Sequence, residues 1–123
     1  MKVIKYFSGL LLVMFLHQAC YYDNEEDLYP ESTACDTTNI TYTETIAPLM
    51  ENNCNSCHNA ITPNANVITD NYTDLKVIAD NGQLWGAVNH ESGFSPMPKN
   101  QAKLPDCELT KIRKWLDDGA PDN

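Results

Sequence analysis

Cys54-Asn55-Ser56-Cys57-His58 decides how this chain is read. Two thiols stand three residues apart, and an imidazole follows the second directly. Paired cysteines at that spacing also occur in zinc half-sites and in dithiol redox motifs. A closed zinc site calls for a second paired-cysteine motif, and a thioredoxin-like site calls for a surrounding βαβ pattern; the sequence offers neither. The remaining chemistry uses both cysteines and the histidine together.

A C-x-x-C-H run is the spacing that attaches haem c. Each thiol adds across one vinyl group of the porphyrin, two intervening residues match the separation of those groups, and the adjacent histidine reaches the iron. Cys54 and Cys57 are therefore the expected attachment points and His58 the proximal ligand of one haem. Upstream, Ile46, Leu49 and Met50 recur at helical spacing, Thr43 or Thr45 offers a cap, and Pro48 is tolerated in a first turn. That helix delivers Cys54 to the haem edge, with Met50 in its core.

A sixth ligand comes from farther along the chain. Met97 lies in Ser95-Pro96-Met97-Pro98, where two prolines fix φ and remove backbone donors, the makings of a rigid loop that presents a side chain. Its competing reading is a gap-filling core methionine. His90 is the alternative sixth ligand, or else a surface hydrogen-bonding group. Methionine sulfur raises the potential relative to a second imidazole, so the choice sets the redox range.

Other segments read as helices. Residues 73–80 form one with Thr73 as cap, ended by Asn81-Gly82; residues 83–89 form a second piece carrying Leu84, Trp85, Ala87 and Val88. The last helix places Leu109, Ile112, Trp115 and Leu116 on one face and Lys111, Arg113 and Lys114 on the other. Pro105 or Asp106 starts it, and Gly119 with Pro121 stops it.

The front of the chain is a separate matter. Residues 1–19 read as a secretory leader, with Lys2 and Lys5 before a short apolar stretch that ends in Leu16. The stretch is too short to span a bilayer, which takes roughly 20 apolar residues. Cys20 follows Ala19 directly, as in bacterial lipoprotein leaders, although His17 stands where an aliphatic residue is usual. Lipidation of Cys20 is the expectation, and an ordinary signal peptide cut nearby the alternative. Several acyl chains there would anchor the protein to a membrane. Residues 20–39 are acidic, contain Pro30 and show no periodicity; they read as a tether.

Of five cysteines, this leaves Cys35 and Cys107. In an oxidising compartment they can pair, enclosing the haem motif in a loop; two buried free thiols are the other reading. A chain of 123 residues holds one domain, and small domains gain much from such a staple or from a large apolar cofactor. The formal charge is −9, and −11 once Lys2 and Lys5 are removed with the leader. Nucleic acid is then not an expected partner; the acidic excess favours a docking partner with a basic face, or serves only to solvate the surface.

Tyr42-x-x-x-Ile46-x-Pro48 before the C-x-x-C-H, Met97-Pro98 some forty residues on, and a final helix with Trp115 and Gly119-Ala120-Pro121 together resemble small class I type c cytochromes. The resemblance covers roughly residues 40–121. Glycines that commonly mark the crossing of the terminal helices are missing. It implies the all-α cytochrome c fold, three to five short helices and loops around one covalently attached haem c, in a domain over residues 40–123. It implies a carrier of single electrons between redox protein donors and acceptors, not an enzyme, exported to the periplasm or outer membrane. The rival class is a haem-based gas sensor or redox enzyme with an open or exchangeable sixth iron position.

Overall fold

Asn81-Gly82 is a turn whose chemistry is visible in advance, and the backbone follows it. Gly82 takes φ +80°, the left-handed region that glycine enters without a Cβ penalty, and separates two short helices. The structure is a computed structural model that describes residues 35–123. The leader over residues 1–19, Cys20 and the tether up to residue 34 lie outside the described residues.

Four α-helices are present in this part: α1 (Ala47–Asn53), α2 (Tyr72–Asp80), α3 (Gln83–Val88) and α4 (Asp106–Asp117). A π-helical turn, Tyr42–Ile46, runs directly into α1, and a short 3-10 turn covers Asn64–Asn66. No β-strand occurs among the described residues; an isolated bridge joins His58 to Pro63. The described region is thus helical, and it forms one unit from Cys35 to Asn123.

Two caps differ from expectation. Thr41, not Thr43 or Thr45, caps the first element, its hydroxyl accepting from the Glu44 amide at 3.1 Å. The wide turn uses an extra residue, with the Ile46 amide reaching back five positions to the Thr41 carbonyl, so the start moves forward. Pro48 follows as the second residue of α1, where its fixed φ suits the helical backbone. For α2 the cap is Asn71, not Thr73. Asn71 has extended backbone and accepts from the Asp74 amide at 3.0 Å, and asparagine is among the strongest caps.

The core joins these elements around Ile46, Met50, Leu75, Ile112 and Trp115, all fully buried. On α4, Leu109, Ile112 and Trp115 point inward, and Leu116 packs against the cluster from its edge. The Trp115 indole N–H donates to the Pro121 carbonyl at 3.0 Å, and the Tyr72 hydroxyl donates to the Ala120 carbonyl at 3.0 Å. Tyr42 meets Tyr72 edge to face, ring centres 5.1 Å apart. The last residues therefore fold back over the core, as far as Asn123, whose carbonyl accepts from the Thr43 amide at 2.9 Å.

Cys35 and Cys107 are disulfide-bonded across 72 residues of chain, fastening the start of the unit to the first turn of α4. Such a cross-link restricts the unfolded chain and contributes about 2–4 kcal/mol. The Cys35→Ser/Cys107→Ser variant is expected to lose that much in urea unfolding; a midpoint equal to that of the parent would mean the bridge contributes nothing.

Candidate functional site

Helix α1 hands the chain to the motif without a break. The amides of Cys54 and Asn55 both donate to the Met50 carbonyl, at 2.8 and 2.9 Å. The amides of Cys57 and His58 then both donate to the Cys54 carbonyl, each at 3.0 Å. Cys54 through His58 thus form one tight turn at the C-terminal end of a helix anchored by buried Met50. Methionine 50 is a core residue, as its helical position implies.

Both thiols are unpaired, Cys54 half-buried and Cys57 exposed. Burial pushes the Cys54 thiol up to about 11, with the charge of Glu108 on α4 adding to the effect. Cys54 is therefore a protonated thiol at neutral pH, a small apolar group and not a resting thiolate. His58 is half-buried, and its Nδ1 is shielded from solvent with no hydrogen-bond partner. An orphaned buried polar atom is uncommon and costs about 1–3 kcal/mol unless something else occupies it.

Thr69, a residue the periodicity does not single out, holds the histidine's backbone. It is 4% exposed, the one polar side chain in the buried set among the described residues. Its amide donates to the His58 carbonyl at 2.8 Å. Its hydroxyl lies 2.7 Å from Asn55 Oδ1 and 3.0 Å from the same His58 carbonyl, sharing its proton between them. The loop between is stiffened by Asn59, whose Oδ1 accepts from the Ile61 and Thr62 amides at 2.9 Å, and by Asp70, which accepts from the Ala60 amide at 2.8 Å. Polar bonds of this kind substitute for regular structure in a surface loop.

Met97 is half-buried, and both its backbone groups are bonded to the end of α3. Its amide donates to the Ala87 carbonyl at 3.0 Å, and its carbonyl accepts from His90 Nε2 at 3.0 Å. His90 is exposed. The two candidate sixth ligands are thus brought together, one holding the other's backbone. No hydrogen bond joins either of them to the Cys54–His58 turn among the described residues.

Compared with protein-family models, curated proteins and solved structures, the chain matches none. The fit of a haem therefore rests on the residues themselves. Two free thiols at attachment spacing precede a half-buried histidine with an unsatisfied ring nitrogen, which is the donor set such a group takes. No group of three or more His, Cys, Asp or Glu side chains gathers as an ion site among the described residues. A porphyrin supplies four nitrogens of its own and asks the protein only for axial ligands, so the two facts are compatible. An open cleft of about 460 Å³ lies elsewhere, lined by Trp85, Lys103, Leu109 and Arg113, and touches none of the motif. Arg113 stacks over Trp85 there, 5.2 Å from the ring centre. No helix of the described residues is long and apolar enough to cross a membrane.

Proposed function

We propose that this chain is a monohaem c-type cytochrome that carries single electrons, with the cytochrome c fold built around one haem c. Cys54 and Cys57 hold the group covalently, and His58 and Met97 are its axial ligands. The observation that carries the reading is the turn itself: two free thiols and a partly buried histidine with an orphaned ring nitrogen, assembled at the end of a core-anchored helix. When bound, haem supplies one-electron redox chemistry.

The chain's own residues do the positioning. Thr69 fixes the His58 carbonyl and Asn55, so the histidine enters the site on a backbone that cannot swing. Met50 and Ile46 exclude water behind the turn. The α3 terminus holds the Met97 backbone at two points. Export and lipid attachment at Cys20 complete the reading: a tethered carrier in the periplasm or at the outer membrane, serving redox proteins through small, transient contacts. The acidic surface favours partners with a basic face.

Optical spectra of the exported protein, oxidised and reduced, with and without carbon monoxide, test this. The parent is expected to show a low-spin haem c, a weak red band of sulfur ligation when oxidised, and no response to carbon monoxide. Met97→Ala is expected to remove the band and admit carbon monoxide. An unchanged axial signature in that variant would assign the sixth position to another residue, and a parent that binds carbon monoxide readily would favour the sensor or enzyme class.

A further inference from the structure

His90 occupies an unusual place. It is the residue just past the C-cap of α3, and its φ is +57°, in the left-handed region that glycine enters most freely and other residues seldom occupy. The helix end has the Schellman arrangement that this position serves: the Glu91 amide donates to the Gly86 carbonyl at 2.9 Å and the His90 amide to the Ala87 carbonyl at 3.3 Å. Capping alone would be met better by glycine. The histidine side chain adds something glycine lacks, an N–H that reaches seven residues ahead to the Met97 carbonyl. A carbonyl only accepts, so Nε2 carries the proton in this contact.

The segment between them is folded back on the same helix. The Phe94 ring sits so close over Gly86 that a Cβ there would lie 2.4 Å from it. With the Met97 amide on Ala87, the loop is fastened to the end of α3 at three places, and His90 holds the Met97 carbonyl.

We infer that His90 is a positioning residue that clamps the Met97 backbone and thereby holds the methionine sulfur available to the iron. This rests on the reading of Met97 as axial ligand. His90 does not itself ligate, since the nitrogen that extends farthest is engaged as a donor to Met97.

Three variants of the full exported holoprotein separate this role from capping. His90→Gly and His90→Asn suit the left-handed backbone but lack the reach, whereas His90→Gln strains it but keeps an N–H at a similar distance from Cα. The clamp predicts that the glycine and asparagine variants lose sulfur-band intensity and bind carbon monoxide about tenfold more readily, the size of one lost hydrogen bond, while the glutamine variant stays close to the parent. Thermal midpoints follow the opposite order, glycine highest, because they report the backbone. If the sulfur band instead tracks the thermal midpoints, or survives His90→Gly untouched, the clamp is overturned while the ligand reading stands. If the parent has no sulfur band and Met97→Ala changes nothing, the ligand reading itself has failed, and the role of His90 with it.

Discussion

The Cys54→Ser/Cys57→Ser variant is expected to carry no haem that survives denaturation, against full retention in the parent. Serine is nearly the size of cysteine, and the turn is held by backbone bonds to Met50 and Cys54 carbonyls, so the substitution leaves the local path intact. It removes both atoms able to form thioethers. Haem held by His58 alone would be released when the chain unfolds or acid protonates the imidazole. The single Cys57→Ser variant keeps one thiol and is expected to retain haem through one thioether at reduced yield. Haem absorbance that stays with the chain after acid–organic extraction and denaturing electrophoresis is the measurement. Covalent haem persisting in the double variant would reject the attachment assignment; a parent that acquires none would reject the cytochrome reading altogether.

The second large effect is structural. Trp115→Ala is expected to destabilise the domain by about 3–5 kcal/mol, the range for deleting a buried aromatic ring. Trp115 is fully buried, its ring centre lies 6.2 Å from that of Tyr42, and its N–H satisfies the Pro121 carbonyl. The alanine variant therefore leaves a cavity and also frees the segment that folds back over the core. In a domain of this size each kcal/mol moves the thermal midpoint by roughly 4–8 °C, so the variant should melt at least about 12 °C lower. Trp115→Phe keeps most of the packing and loses the hydrogen bond, and it should fall between. A loss under about 1 kcal/mol in the alanine variant, read by far-ultraviolet circular dichroism during urea unfolding, would contradict the central place given to this side chain.

Much of this organisation is legible along the chain, for a physical reason. The inward face of α4 is written in the spacing of Leu109, Ile112 and Trp115, because burial acts on each side chain of a helix by its angle. Gly82 at +80° is legible for a similar reason: only the residue itself decides whether that backbone is cheap. Thr69 is not legible. Its partners, Asn55 and His58, lie 14 and 11 residues away, and a threonine beside Val67 and Ile68 reads as any residue of a half-buried segment. The link from His90 to Met97 is hidden in the same way, since both were visible only as rivals for one position. That Thr41 is the cap and not Thr43 or Thr45 follows from a π-helical turn, which no local preference announces.

The cysteines of the described residues carry a consequence for how the protein is made. Cys35 and Cys107 are bridged across 72 residues, while Cys54 and Cys57 remain free only three apart. Four thiols can pair in three ways, and the short loop closes far more readily than the long one. Surroundings oxidising enough to form the long bridge can also close the short pair. On the cytochrome reading, biogenesis becomes a problem of timing: Cys54 and Cys57 would have to be guarded by a reductant or joined to haem before oxidation reaches them, and a host that supplies the oxidant without that guard would make a correctly stapled shell with a sealed motif.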